Sequence, residues 1–268
     1  MKFATCVLAY NQDKWIMRNI ENSYPHVDRI YVGYSKVPWN YDPESRFFRL
    51  NNFDINIIKD SKYIDKITII EGNWFHEFDE RNEILNTAKK DGMDYLMIHD
   101  ADEFYFHEDF EKLKKIVYDN PGYDSYAVQL CAFWKSFKYV LITPQRIEEG
   151  KQLGGKISGM AETVLDLSKN LKFIHIRYSG AKKYLVLDRN DLIFYHASYV
   201  LTNEELYNKI KTWAHRNDFD PDKWYVEKWL NWTLDTKILH PIYNWAWTHA
   251  EKYNEKLPEV IEDLKNSN

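Results

Sequence analysis

Apolar residues in this chain come in short unbroken runs separated by stretches with helical spacing. FATCVLAY (3–10), RIYVGYS (29–35), KITIIEG (66–72) and DYLMIHDADEF (94–104) read as buried strands. Between them, DKWIMRNIENSYPHV (13–27) turns Trp15, Ile16 and Ile20 to one face, as a helix does. FDERNEILNTAKKDGM (78–93) repeats that spacing through Ile84, Leu85 and Ala88 and stops at Gly92. VPWNYDPESRFFRLNNF (37–53) is polar, aromatic and proline-containing, and reads as a loop. The order strand, helix, strand, strand, helix, strand predicts an α/β domain with a largely parallel sheet.

The pattern changes after a helix at about 108–119. SYAVQLCAFWKSF (125–137), YVLITPQ (139–145), ETVLDL (162–167), LKFIHIRYS (171–179), KYLVLD (183–188) and NDLIFYHASYV (190–200) read as further strands. The glycine-rich EEGKQLGGKISGM (148–160) reads as a loop. From Thr202 the chain becomes helical: TNEELYNKIKTWAHR (202–216) opens with a Thr202–Glu205 capping box, and PDKWYVEKWLNWTL (221–234) opens on proline. No linker, repeat or low-complexity tract interrupts the chain, which predicts one continuous domain over 1–268 with a helical, aromatic-rich C-terminal elaboration.

Composition narrows this picture. The net charge of -5 disfavours nonspecific nucleic-acid binding, which needs a clustered excess of Lys and Arg. Cys6 and Cys131 both lie in apolar runs and read as buried thiols of a reduced compartment. The first apolar run is cut off by Asn11, Gln12 and Asp13, too early for a secretion signal, and no run approaches a membrane span. The expected location is the cytoplasm, a host's if the source is viral. Aromatics reach 16 %, so the tail tryptophans Trp213, Trp224, Trp229, Trp232, Trp245 and Trp247 either pack helices or line a groove for a flat or amphipathic ligand.

Candidate chemistry gathers where the fourth apolar run, Tyr95 to Ile98, meets His99, Asp100, Asp102 and Glu103. Charge at the end of a core strand needs a compensating partner. In an extended segment Asp100 and Asp102 share one side, and hard divalent cations take such carboxylates together with substrate phosphates. Mn²⁺ also accepts imidazole. The competing reading is a solvated acidic turn that caps the next helix. Alternation turns His99 to the opposite face, where it either packs or supports the carboxylates from behind.

VLAYN on the first strand, YVGYS then PWN after the second, EGNW after the third, ERNEIL opening the next helix, and IHDADEF stand in register. Together they resemble a nucleotide-sugar glycosyltransferase of the GT-A fold, of the inverting family 2-like type found in bacteria and viruses. FYHASYV followed by NKIKTWAH resembles the later part of such enzymes. The resemblance covers 2–105 and 190–216 and implies a Rossmann-like, mostly parallel central sheet flanked by helices. It implies a nucleotide-sugar-binding half (1–105), an acceptor half (106–200) and the C-terminal elaboration (201–268).

The implied activity is transfer of a hexose-like sugar from a nucleoside diphosphate, uridine favoured, to a hydroxyl of a glycan, a lipid-linked sugar or a protein. The implied cofactor is Mn²⁺ or Mg²⁺, on Asp100, Asp102 and His196. Tyr10 and Asn11 match the base and ribose site, with ordinary turn chemistry as the alternative for Asn11. Ser35 and Trp39 occupy the next strand-to-loop junction. Arg81 either reaches the donor or Asp100, or pairs along its helix with Glu77 or Asp79. Arg177 is a diphosphate candidate. An inverting transferase also needs a carboxylate to take the acceptor proton, for which Glu162 is the candidate, with Asp166 and Asp188 as alternatives. Competing classes are a viral-type transferase acting on modified DNA bases, a metal-dependent phosphohydrolase or nuclease, and a non-catalytic sugar-nucleotide binder.

Overall fold

The computed structural model describes residues 1–41, 44, 50–148, 151–156, 159–212 and 216–266. Trp213 of the tail and parts of the 37–53 and 148–160 loops lie outside the described residues. In chain order the elements are β1 (Phe3–Leu8), α1 (Ile16–Ser23), β2 (Arg29–Ser35), α2 (Asn56–Lys59), β3 (Ile67–Gly72), α3 (Glu77–Lys90), β4 (Tyr95–Ile98), β5 (Glu103–Phe104) and α4 (His107–Asp119). There follow β6 (Ser125–Trp134), β7 (Ser136–Glu148), β8 (Lys151–Gly155), β9 (Gly159–Asp166), β10 (Tyr184–Val186), β11 (Ile193–Tyr199), α5 (Asn203–Thr212), α6 (Pro221–Trp224) and β12 (His249–Lys252). Two compact units form. One comprises Met1–Val128, Ala161–Leu187 and Pro258–Val260; the other comprises Gln129–Met160, Asp188–Leu257 and Ile261–Asn268.

The first unit is a Rossmann-like α/β sheet. Its strands run in the order β3-β2-β1-β4-β9, with the start of β6 beside β9. β3, β2, β1 and β4 are parallel, and β9 is antiparallel to β4. All six residues of β1 are buried, because helices cover both faces of the sheet. Strand alternation then sorts one sequence into two cores. Ala4, Cys6 and Leu8 pack with Tyr31, Leu96 and Ile98 against Ile84, Leu85 and Ala88 of α3. Val7 and Ala9 pack with Ile30 and Val32 against Ile16 and Ile20 of α1. Helix α3 carries Glu77, Asp79 and Glu80 in its first turn and Lys89 and Lys90 in its last, complementing its dipole. It ends as the spacing predicts, with Gly92 in the left-handed region at φ 72°.

Three expectations change here. The fourth strand ends at Ile98, so Asp100 and Asp102 do not lie on an extended segment. They sit in a turn closed by the Glu103 amide donating to the Asp100 carbonyl at 2.9 Å, which returns the chain to β5. Residues 171–179 form no strand; only an isolated His175–Tyr178 bridge is present, despite the alternating apolar pattern. The glycine-rich 148–160 stretch contains β8, which pairs antiparallel with β7 through residues 151–155.

In the second unit, β12 and β8 pair with β7, β7 pairs with β6, and β11 runs parallel to β6. The predicted capping box is present. The Thr202 amide donates to Glu205 at 2.6 Å, and the Glu205 amide donates to the Thr202 hydroxyl at 3.2 Å. Asp220 accepts from the Lys223 amide, and Pro221 opens α6. The tail is less helical than predicted: α6 continues as a π-helical turn over Tyr225–Leu230, after which come irregular turns, β12 and a 3-10 segment. Trp224 and Trp229 are buried with Trp134 and Tyr199, and their indole N–H groups bind the Leu239 carbonyl and the Asn203 side chain. Trp245 stays 65 % exposed. Cys6 and Cys131 are buried free thiols. No helix among the described residues is long and apolar enough to cross a membrane.

Candidate functional site

Ligands of open α/β sheets bind outside the carboxyl ends of the strands, where the strand order reverses. In the first unit that point lies between β1, followed on one side by β2 and β3, and β4 on the other. The residues leaving these two strands are Ala9–Asn11 and His99–Glu103.

The acidic turn is held from below by α1. Asn19, 1 % exposed, donates to the carbonyls of Asp100 at 2.8 Å, Glu103 at 3.1 Å and His99 at 3.4 Å. Asn22 exchanges two bonds with Tyr105, donating to its carbonyl at 2.8 Å and accepting from its amide at 2.9 Å. These two asparagines were not among the sequence candidates. Asn19 carried a signal, a polar residue one helical turn after Ile16 where burial demands a partner, while Asn22 lies off the face of Ile16 and Ile20 and carried none. His99 is fully buried against Tyr105 and Phe110, and burial pushes its imidazole down to about 3, so it stays neutral.

Two arginines supply the countercharge that the sequence demanded. Arg81, 2 % exposed, bridges Glu77 at 2.6 Å and Asp100 Oδ1 at 2.8 Å, so both contacts considered for it occur together. Arg177 lies 3.3 Å from Asp100 Oδ2, binds the buried Glu103 carboxylate closely, and points Nη2 at the carbonyls of Ile98 and Glu162, each at 3.4 Å. Burial raises the Asp100 carboxyl, but Arg81 and then Arg177 outweigh it and hold the group below the usual carboxylate range. Burial lowers both guanidinium groups less than the carboxylates raise them: Asp100 and Glu77 for Arg81, Glu103 and Asp100 for Arg177. Nη1 of Arg81 is buried and has no hydrogen-bond partner. An unmet charged donor in a dry site is costly unless a ligand supplies the acceptor. Asp102, between the two anchored carboxylates, is half-buried.

The walls come from β1, β2 and α3. Asn51 joins the ends of β1 and β2, donating to the Ala9 and Ser35 carbonyls at 2.8 Å each and accepting from the Asn11 amide at 3.0 Å. Asn11 takes φ 50°, a conformation asparagine tolerates, and accepts from the Asn52 amide. Tyr10 is half-buried, and burial raises its phenol. The Ser35 hydroxyl donates to the Val37 carbonyl at 2.7 Å, shaping the loop that carries Trp39. The Trp39 indole donates to Glu80 at 2.8 Å. Glu80 is 2 % exposed, and burial pushes its carboxyl up to about 7. Residue 33 is glycine for a steric reason: a Cβ there would stand 2.4 Å from Oε1 of Glu80.

The other candidates are placed as follows. Glu162, on β9, accepts from the Ser179 amide at 2.8 Å and from the Ser125 hydroxyl at 3.3 Å. Asp166 accepts from Ser168, and Asp188 from the Asn190 amide. His196 belongs to the second unit, on β11 beside Ala132, with a register shift before Tyr199 and its ring edge-on to Phe194. Asp100 and Asp102 belong to the first. Among the described residues, no three His, Cys, Asp or Glu side chains gather around one metal position.

No family model and no curated protein matches this chain. Among solved structures it is similar to S. aureus TarS 1-349, at 14 % identity and a TM-score of 0.44, covering 86 % of this chain and 71 % of that one. The same protein in complex with UDP gives 15 % identity and a TM-score of 0.42 over the same shares of both chains. A 4-diphosphocytidyl-2C-methyl-D-erythritol synthase gives 12 % and 0.42, covering 78 % of this chain and 97 % of that one.

Proposed function

We propose that the protein is a metal-dependent glycosyltransferase that binds a nucleoside-diphosphate sugar at the β1–β4 crevice and transfers the sugar to a hydroxyl acceptor. The observation that carries this reading is the acidic turn at the strand-order reversal, preformed by buried Arg81, which keeps an unpartnered N–H, and by half-buried Arg177. That arrangement offers a fixed cationic donor beside hard carboxylate oxygens, which suits an anionic, hydroxyl-bearing ligand that brings its own phosphate oxygens.

The donor set fits a hard divalent ion of the Mg²⁺ or Mn²⁺ kind, which needs one or two carboxylates and completes its shell with phosphate and water. Asp102 and Asp100 are the residues that would hold it. When bound, such an ion neutralises the charge that builds on a departing nucleoside diphosphate. The protein's own groups do the positioning. Arg81 Nη1 donates to the donor's diphosphate or sugar oxygens. Asn51 holds the ends of β1 and β2 apart at a fixed spacing for the nucleoside, with Tyr10 and Trp39 as its aromatic walls. Inversion at the anomeric carbon and a uridine base belong to the same proposal.

The test is calorimetric titration with UDP, GDP, CDP and ADP, each with and without Mn²⁺, followed by the matching sugar nucleotides with hydrolysis and transfer monitored. One nucleotide should bind, and only with metal. Binding of oligonucleotides but not of nucleoside diphosphates would refute the proposal in favour of a nuclease.

A further inference from the structure

Residues 171–180 have no regular secondary structure, yet they are pinned at both ends. At one end Asn82 of α3 donates to the Phe173 carbonyl at 2.8 Å and accepts from its amide at 2.7 Å, imitating a strand neighbour. At the other end Glu162 accepts from the Ser179 amide at 2.8 Å. Between the pins the segment folds back on itself: the Lys172 amide binds the Ser179 carbonyl at 3.1 Å, and the Ile174 amide binds the Tyr178 carbonyl at 3.0 Å. The residue this loop sends inward is Arg177, 16 % exposed, while Ile174 and Tyr178 face solvent.

We infer that Arg177 is a positioning residue for the acidic turn, and that Asn82 and Glu162 form the bracket that holds it there. A buried carboxylate such as Glu103, 1 % exposed, needs a countercharge within the fold. A planar guanidinium can meet two carboxylates and two carbonyls at once, which fixes their relative orientation; an ammonium cannot. Arg177 does this with Asp100, Glu103, Ile98 and Glu162. Asp102 lies between Asp100 and Glu103 in the chain, so anchoring those two sets the conformation from which Asp102 projects. Glu162 thereby acquires a use other than proton transfer, since its carboxylate already serves the Ser179 amide and the Ser125 hydroxyl.

This inference rests on the reading of the turn as the donor and metal site, and its test separates the two. Amide hydrogen exchange is measured on the 98–105 segment in wild type, R177K, E162A and E162Q, without nucleotide. R177K keeps the charge and loses the fork. E162A removes the Ser179 acceptor, and E162Q retains one. Exchange at 98–105 should quicken at least several-fold in R177K and E162A, return to wild type in E162Q, and stay unchanged in β1 and β2 in all of them. Affinity for the nucleotide with Mn²⁺ should fall about 10- to 100-fold in R177K, the usual size of an orienting contact. Wild-type exchange at 98–105 in both R177K and E162A would overturn the inference, whatever binds. Should R177K not fold, E162A alone decides. Unaltered exchange in E162A, with turnover collapsing in E162Q, would make Glu162 a base and remove it from the bracket. Failure of wild type to bind any nucleoside diphosphate would sink the proposed function, while the exchange data still judge the bracket.

Discussion

Asn19 is the buried polar group on which the acidic turn depends most directly, so its removal has a calculable cost. Its amide nitrogen reaches three carbonyls, but only the bonds to Asp100 at 2.8 Å and Glu103 at 3.1 Å have full hydrogen-bond length. The Asp100 carbonyl also receives the Glu103 amide at 2.9 Å and is not left empty by the substitution. Two bonds of about 1 kcal/mol each give about 2 kcal/mol for Asn19→Ala. Asn19→Leu refills the volume and still lacks the donor, so it should cost a similar amount. Urea unfolding followed by circular dichroism at 25 °C measures both variants. A loss below about 0.5 kcal/mol in both would refute the reasoning, because it would mean that the turn holds its shape without α1. A large loss in Asn19→Ala, with recovery in Asn19→Leu, would show that packing rather than hydrogen bonding was removed.

Asp102→Asn should abolish Mn²⁺-dependent nucleotide binding while leaving the melting temperature of the free protein unchanged, since a half-buried charge is lost without volume; unaltered affinity would count against the metal role. Glu80 has a folded carboxyl at about 7 against an ordinary 4.5, so the folded state binds more protons between those values and stability falls as pH rises through them. Glu80→Gln should therefore lose stability with rising pH less steeply than wild type between about pH 4.5 and 7; parallel curves would show that Glu80 ionises freely.

Much of the fold was legible because hydrophobic period and turn chemistry are local. β1, β2 and β3 lie where unbroken apolar runs placed them, α3 spans its predicted face and stops at Gly92, and the Thr202–Glu205 box closes as its spacing requires. The 171–179 segment misled because its alternation matches a strand, while Arg177 within it is drawn to Asp100 and Glu103 rather than to a ladder. In the C-terminal tail the helical spacing through Trp224 and Trp229 held, both being buried in helical turns, but the chain leaves the helix after Leu230.

By itself, the sequence determined where charge would be concentrated: a core strand running into Asp100, Asp102 and Glu103, which had to be neutralised if it was to be buried. It could not say by what. Arg81 lies 19 residues from Asp100 and Arg177 lies 77 away. Which cation reaches which carboxylate depends on the neighbours that the sheet brings together, and no local pattern encodes a contact across such distances. Likewise the spacing suggested two carboxylates side by side on an extended strand. Only the packed structure, with Asn19 drawing the chain into a turn over α1, decided that they project from a bracketed loop.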